Sequence, residues 1–253
     1  MKSGGEFNLS DEYDSIILAA GRNTRLKGII PSYHKPLVLV NGVPLIVSLV
    51  SDALAFTQRV IVVVSPENCA PIIDLLAAND LLSHRVKLVV QAEARGPGDS
   101  LYQGLAAAQA ERVVLICGDN RIPTADFRQV IDADALWRAK YEASKIVTAC
   151  TSLIRVEESA LRFTRVDLLK KEFVEGRPGG FNSAAKGYFC WIGPLVFDRA
   201  VAEKIFESKI TGHKPGDPEI KISEAFNVVE DLLIISQPGS SFDIGTKESL
   251  EEA

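Results

Sequence analysis

The sequence predicts an α/β fold in which a mixed, mostly parallel sheet is covered by helices on both faces. Short apolar runs recur between residues 15 and 150, and helix-like segments separate them. Most of these runs are continuously apolar, which is typical of parallel strands buried on both faces. Strands that alternate with helices favour parallel pairing through helical crossovers.

Five strands and four helices are predicted in this first part of the chain. The strands are predicted at 16–20, 60–64, 88–91, 113–117 and 146–149, and the helices at 44–56, 71–79, 99–110 and 124–143. Asp99 is a suitable N-cap for the third helix, and Asn68 or Ser65-Pro66 for the second. This part, about 15–150, is expected to form the first half of the molecule.

The rhythm of the sequence changes after residue 150. Short antiparallel strands are predicted at 162–167 and 172–175, a strand at 187–192, an amphipathic helix at 195–206, a helix at 222–232, a strand at 233–236 and a short final helix after 246. No linker is long enough to separate two independent domains. We therefore expect a flexible leader at 1–14 and a single domain at 15–253, whose substrate-binding half spans about 151–253.

Composition narrows the classes of function. The chain has 253 residues, a formal net charge of −5 and an apolar fraction of 47%, which argues against nucleic acid as a partner. Four cysteines without a C-x-x-C pair and three scattered histidines favour a cytoplasmic protein without zinc. The apolar stretch 36–56 contains the turn Asn41-Gly42 and the charged Asp52, so no membrane span is expected.

The first loop indicates a polyphosphate pocket. The strand ending at Ala20 leads into Gly21, and two cations, Arg25 and Lys35, follow. Ligands bind at the carboxyl ends of parallel strands, and small residues let backbone N–H groups approach a phosphate. The loop contains neither a P-loop nor a complete G-x-G-x-x-G motif. The alternative is a strand end with solvated cations.

Three later segments place polar residues at strand ends. Gln91 offers an amide to a flat base edge, with Gly96 in the loop that follows it. Asp119 comes directly after an apolar strand, and Asp243 lies in Phe-Asp-Ile-Gly-Thr near the C-terminus. Mg²⁺ prefers one or two protein carboxylates together with phosphate oxygens and water. The alternatives are a Gln at an ordinary strand end and Asp residues in turns.

These segments resemble the nucleotidyltransferases that join an NTP to a sugar 1-phosphate, including the glucose-1-phosphate thymidylyltransferases and uridylyltransferases. The motif L-A-A-G-x-G-T-R-L…K-P-L is matched at Leu18, Ala19, Ala20, Gly21, Thr24, Arg25, Leu26, Lys35, Pro36 and Leu37, with Asn23 at the second glycine. The resemblance implies the Rossmann-like nucleotide-diphospho-sugar transferase fold. It also implies that residues 18–21, Gln91 and Gly96 bind the nucleotide, that Arg25 and Lys35 are catalytic, and that Asp119 and Asp243 hold Mg²⁺.

The substrate half matches this family less closely. Glu175 lies in a segment that resembles V-E-K-P, with Gly176 at the lysine position, so Arg177 or Lys186 would supply the charge. Gly187 follows Ala185, which stands where the amino-sugar enzymes have Asn. The resemblance implies that Glu175, Arg177 and Gly187 bind the acceptor. A solvated hairpin pair formed by Glu175 and Arg177 is the alternative.

The implied reaction joins a sugar-phosphate oxygen to the α-phosphorus of the NTP and releases pyrophosphate. The nucleophile is already an anion, because the second pKa of a phosphate is about 6, so no general base is needed. Gln91 favours a pyrimidine nucleotide. Two other functions stay open: a cytidylyltransferase for phosphocholine or another phosphorylated alcohol, and a catalytically silent nucleotide-binding module. The missing glycine fingerprint disfavours a dehydrogenase, and the oligomeric state is left open.

Overall fold

The computed structural model describes residues 12–21, 34–141, 146–161, 163–175, 179–214, 216–227, 231–237 and 242–243. Its strands are β1 (Tyr13–Leu18), β2 (Leu39–Val40), β3 (Val43–Pro44), β4 (Arg59–Val64), β5 (Val86–Val90), β6 (Arg112–Cys117), β7 (Asn120–Arg121), β8 (Ile146–Ile154), β9 (Arg165–Asp167), β10 (Glu172–Val174), β11 (Phe181–Asn182), β12 (Gly187–Asp198), β13 (Asp231–Gln237) and β14 (Phe242–Asp243). Its helices are α1 (Leu45–Phe56), α2 (Cys69–Ala78), α3 (Pro97–Leu105), α4 (Thr124–Tyr141), α5 (Glu157–Ala160), α6 (Arg199–Thr211) and α7 (Ile222–Phe226).

One ten-stranded sheet organises the molecule. Its main path runs β10-β9-β12-β6-β1-β4-β5, and β8 pairs with both β12 and β13. Strands β6, β1, β4 and β5 are parallel to one another, and β12 joins β6 in the antiparallel direction. The predicted α/β fold with a mixed sheet is therefore confirmed.

Helices cover both faces of the parallel strands, which explains their continuous apolar sequences. In β1, Ile17 packs in the core on the side of α1, α2 and α4, and Ile16 packs in the core on the side of α3, α6 and α7. Successive residues of a strand point to opposite faces, so both layers require apolar side chains. Val62 and Val63 divide in the same way on β4.

A buried polar network joins α4 to the sheet. Asp134 of α4 accepts hydrogen bonds from the Tyr13 hydroxyl at 2.9 Å and from Arg112 Nε at 3.1 Å. All three side chains are buried, and burial together with the nearby Asp134 charge raises the pKa of Tyr13. Asp134 is the shared acceptor, so loss of its carboxylate would remove a partner from two buried donors at once.

Several predicted boundaries are corrected by the structure. β1 begins at Tyr13 rather than at residue 16, so Tyr13 and Asp14 belong to the sheet and not to the leader; residues 1–11 lie outside the described part. The helix predicted at 222–232 ends at Phe226, and β13 already begins at Asp231. The final short helix predicted after 246 falls outside the described residues.

The largest error concerns 195–206, which was predicted as one amphipathic helix. Leu195 to Asp198 instead complete β12 and pair with β6. Helix α6 begins only at Arg199, because the Asp198 side chain accepts a hydrogen bond from the Val201 N–H at 2.8 Å and caps the helix. The Leu-Val-Phe run is buried against both faces and carries no helical period.

Within the described residues, no helix is both long and apolar enough to cross a bilayer. The apolar stretch 36–56 forms a 3₁₀ turn at Lys35–Leu37, the β2–β3 hairpin and α1. Helix α1 has 12 residues, which at 1.5 Å each is well short of a hydrocarbon core about 30 Å thick.

Candidate active site

A cavity of about 680 Å³ opens where β1, β5 and β6 end. Residues from the predicted motifs of both halves of the chain line it. The lining residues are Leu18, Ala19, Ala20, Gly21, Lys35, Pro36, Gln91, Ala94, Gly96, Pro97, Ser100, Cys117, Gly118, Asp119, Glu175 and Glu219. The position matches the rule that α/β sheets bind ligands beyond the carboxyl ends of their strands.

The other predicted site residues are not found on this lining. Arg25 and Arg177 lie outside the described residues. Of Asp243 the structure describes the backbone alone. Gly187 lies at the start of β12, where an added Cβ would stand 2.9 Å from the Ile154 carbonyl oxygen, so its missing side chain serves strand packing.

Gly118 lets the ends of β1 and β6 approach each other. Its N–H donates to the Leu18 carbonyl at 2.9 Å, and a Cβ at this position would lie 2.6 Å from the same oxygen. Any side chain would push the two strand ends apart. Glycine at 118 therefore brings the loop after β6 against the end of β1, where the cavity is located.

Asn68 supports the first loop, a role that the sequence analysis did not identify. Its side chain is buried, Nδ2 donates to the Ala19 carbonyl at 2.7 Å, and Oδ1 accepts from the Ser65 N–H at 2.9 Å. We predicted Asn68 as a helix cap; it precedes α2 but forms no side-chain cap bond. The sequence signal for this role is that Asn68 follows the end of β4, a strand next to β1, by four residues.

Lys35 and Asp119 form an ion pair in the cavity. Lys35 Nζ donates to Asp119 Oδ2 at 2.7 Å, and the side chains are 10% and 33% exposed. Lys35 lies in the 3₁₀ turn and Asp119 directly after β6, so the pair joins two distant segments. Burial lowers the pKa of the neighbouring His34, against the opposing charge of Glu67. Burial therefore favours the neutral form of His34.

A second carboxylate residue of the predicted metal site is brought to the same edge. β14 pairs antiparallel with β7, and Asp243 stands opposite Asn120 in the register. Asn120 is the residue after Asp119. The backbone therefore places residues 119 and 243 close together, although they are 124 positions apart in the sequence.

Gln91 lies at the end of β5 with its amide held on one side. Nε2 donates to Asp99 Oδ2 at 2.7 Å and to the Gly96 carbonyl at 3.2 Å. Gly96 has a φ of +103°, and a Cβ there would lie 2.8 Å from Glu219 Cβ and Ile220 N, so the position requires glycine. The predicted N-cap role of Asp99 is wrong, because Gly96 precedes α3 and the Asp99 carboxylate binds Gln91 instead.

Two acidic residues line the side of the cavity contributed by the second half. Glu175 follows β10 and accepts a short hydrogen bond from the Ser223 hydroxyl of α7. Glu219 precedes α7 and contacts the Gly96 loop. The Ile220 N–H donates to the Arg95 carbonyl at 3.0 Å, and the Gly98 N–H donates to the Ile220 carbonyl at 2.7 Å. These two hydrogen bonds therefore hold the loop after β5 against the segment that contains Glu219.

Comparison with known proteins gives a consistent result. Residues 15–211 match the model of the MobA-like NTP transferase domain. Bifunctional protein GlmU of Stutzerimonas stutzeri is 35% identical over 106 residues, which cover 42% of this chain and 22% of that protein. GlmU of Azotobacter vinelandii is 34% identical over 113 residues, 45% of this chain and 23% of the relative. The match thus spans less than a quarter of these relatives.

Solved structures share the fold at low identity. A Bacillus anthracis protein assigned as a glucose-1-phosphate thymidylyltransferase, in complex with sucrose, has a TM-score of 0.73 and 20% identity, covering 95% of this chain and 93% of its own. HddC from Yersinia pseudotuberculosis complexed with GMP-PN has a TM-score of 0.65 and 20% identity, covering 95% and 97%. The predicted resemblance and fold are confirmed: the chain belongs to the MobA-like NTP transferase family and is a nucleotidyltransferase of the nucleotide-diphospho-sugar transferase fold.

Proposed function

We propose that this nucleotidyltransferase moves the nucleotidyl group of an NTP to a sugar 1-phosphate and releases pyrophosphate, with Mg²⁺ as its cofactor. The observation that carries the proposal is the meeting of Lys35, Asp119, Gln91 and Glu175 on one cavity. These residues come from four separate segments, and each has the chemistry required by one part of the two substrates. Cys69, Cys117 and Cys190 are thiols outside disulfide bonds, which accords with a cytoplasmic place of action.

The nucleotide is assigned to the side formed by β1 and β5. Ala19, Ala20 and Gly21 line this side with little side-chain bulk, which lets a phosphate approach the chain closely, and Gln91 offers its amide to the base. Arg25 belongs to the same first loop in the sequence and is proposed to hold the β- and γ-phosphates. A pyrimidine base remains the expected partner of Gln91.

The donor set fits a magnesium ion. Asp119 lines the cavity, and the backbone of Asp243 lies beside Asn120, so one or two carboxylates are provided, as Mg²⁺ prefers when phosphates supply the other ligands. No group of three His, Cys, Asp or Glu residues that could hold a metal occurs in the described part. When bound, Mg²⁺ would neutralise the phosphate charge that builds up during transfer.

The residues of the chain act by positioning and by charge. An oxygen of the acceptor phosphate forms a bond to the α-phosphorus of the NTP. The bond between the α-phosphorus and the oxygen that joins it to the β-phosphate breaks. The electron pair leaves with pyrophosphate. Lys35, released from Asp119, neutralises the α-phosphate, and Arg25 holds the departing pyrophosphate. No proton must be removed from the nucleophile, so no general base is required.

The acceptor side favours a sugar over a choline. Glu175 and Glu219 accept hydrogen bonds, which suits a hydroxylated ring. Quaternary ammonium groups are usually bound on aromatic faces, and the described lining of the cavity contains no aromatic side chain. Arg177, and Gly187 at the start of β12, remain proposals as acceptor-binding residues.

Pyrophosphate release tests the proposal. The chain is incubated with Mg²⁺, each of the four NTPs or dTTP, and a panel of sugar 1-phosphates with phosphocholine as the comparison acceptor. We expect release that requires one nucleotide and one sugar 1-phosphate together, and its loss in Asp119→Asn. Release with phosphocholine alone would replace the sugar proposal. Nucleotide binding without release for any pair would identify a silent module.

A further inference from the structure

A buried carboxylate beside the cavity controls which end of the Gln91 amide faces the ligand. Asp99 is fully buried in the first turn of α3. Its Oδ2 accepts from Gln91 Nε2 at 2.7 Å and from Gln103 Nε2 at 2.9 Å. The Gly96 carbonyl accepts from the same Gln91 nitrogen at 3.2 Å. Both hydrogens of that nitrogen therefore have partners.

The orientation of the amide follows from the chemistry of these partners. A carbonyl and an ionised carboxylate are acceptors only, so the amide end that faces them must be the nitrogen. Arg95 Nη2 stands 3.1 Å from Asp99 Oδ1, and the carboxylate lies in the first turn of a helix. Both features place positive charge beside the carboxylate.

The amide oxygen is left for the ligand. Gln91 lines the cavity, and no described residue donates a hydrogen bond to its Oε1. A base placed against this side chain therefore meets an acceptor and no donor.

We infer that Asp99 is a positioning residue for base selection: by fixing the Gln91 oxygen toward the cavity, it makes the site select a base with a ring N–H at the centre of its pairing edge. This inference rests on the proposed function. Uracil and thymine present N3–H there and guanine presents N1–H, whereas cytosine and adenine present a bare ring nitrogen. The amino groups of cytosine and adenine can reach the oxygen only when the base is displaced along its pairing edge. Two facing lone pairs leave a buried acceptor unpaired, and sites built on such a hydrogen bond reject the analogue that lacks it.

Calorimetric binding of UTP, dTTP, GTP, CTP and ATP tests the inference without depending on turnover. We expect UTP, dTTP or GTP as the tightest ligand, at least about tenfold tighter than the counterpart with a bare ring nitrogen, which is CTP for the pyrimidines and ATP for guanine. In Asp99→Asn the single side-chain oxygen is drawn to the Arg95 guanidinium, so the new amide nitrogen faces Gln91. The Gln91 amide then lies between a donor at position 99 and the Gly96 carbonyl acceptor, so neither orientation is fixed, and the affinity ratio between the two counterparts falls about tenfold.

Gln103→Ala is the matched control, because it removes the other hydrogen bond to Asp99 Oδ2 from a residue outside the cavity lining. We expect the affinity ratio to be preserved in this variant. An unchanged ratio in folded Asp99→Asn would overturn the inference while leaving the proposed function intact. If Asp99→Asn does not fold, the wild-type profile decides, since tighter binding of CTP or ATP overturns the inference. Failure to bind any nucleotide would overturn the proposed function and the inference with it.

Discussion

Replacing Lys35 by Ala removes a cation that lies in direct contact with the Asp119 carboxylate. The Nζ–Oδ2 distance is 2.7 Å, and the Asp119 side chain is 33% exposed. Lys35 is only 10% exposed, but water can reach the carboxylate that is left behind, so we expect the pair to contribute about 1 kcal/mol to folding, near the upper end for exposed ion pairs. We therefore expect the melting temperature of Lys35→Ala to stay within a few degrees of the wild type.

The effect on turnover should be much larger. After the substitution, Asp119, Glu175 and Glu219 line the cavity without the lysine charge, so the phosphates meet a more negative site. Loss of one oriented group that stabilises charge in the transition state lowers turnover by about 10²–10³, or roughly 2.7–4 kcal/mol. The gap between the small folding cost and the large kinetic cost identifies a role in the reaction.

The assay is steady-state pyrophosphate release with the preferred substrate pair, together with a thermal melt. Lys170→Ala is the matched control, because Lys170 also pairs with acids, Asp167 at 4.0 Å and Glu172 at 3.8 Å, but is 70% exposed and outside the cavity lining. We expect the control to turn over normally. Turnover of Lys35→Ala within about twofold of the wild type, in a folded protein, would refute the reasoning.

Three further predictions concern single substitutions. Gly118→Ala places a Cβ 2.6 Å from the Leu18 oxygen; overpacking of this kind costs about 1–3 kcal/mol, so calorimetry should show a melting temperature lower by roughly 2–12 °C, and an unchanged value would contradict the close approach. Ser223→Ala removes the hydrogen bond to Glu175 and should raise the KM for the acceptor about tenfold while the KM for the nucleotide stays constant; equal changes in both would argue against an acceptor role. Burial raises the pKa of Asp52, partly offset by the hydrogen bond from Thr124. The ionised form is therefore disfavoured by folding, so its cost is absent at low pH and grows as pH rises through the folded pKa. Asp52→Asn should thus raise the melting temperature at pH 7 and lose that gain near pH 4; an equal gain at both pH values would contradict the sign.

The parallel strands of the fold could be predicted from the sequence, because their apolar composition matches their burial in the structure. Strands such as β4 are covered on both faces, so their apolar runs are unbroken and short. The prediction is wrong at 195–198, because these apolar residues end a strand that is followed directly by a helix, and the sequence pattern predicts a single helix over both. Only the Asp198 cap marks the boundary, and a single capping residue is a weak signal against an apolar background.

The sequence predicts which residues lie near the ends of strands, but it does not predict which side chains contact one another there. Lys35, Gln91 and Asp119 were assigned because each follows or accompanies a strand end, and the structure brings them to one cavity. Asp99 was misassigned as a cap, since sequence spacing shows that it begins a helix but not that Gln91 lies within 2.7 Å of it. Side-chain pairing across separate segments depends on tertiary packing, which a single sequence does not reveal.

The fate of isotopically labelled acceptor phosphate is the most direct test of the central claim. The preferred sugar 1-phosphate, with ¹⁸O in its phosphate group, is allowed to react with unlabelled NTP. The masses of the nucleotide sugar and of pyrophosphate are then measured by mass spectrometry. The account predicts a nucleotide sugar that keeps all of the label and pyrophosphate that carries none, because the acceptor oxygen attacks the α-phosphorus. Label in pyrophosphate, or absence of a nucleotide sugar, would contradict it.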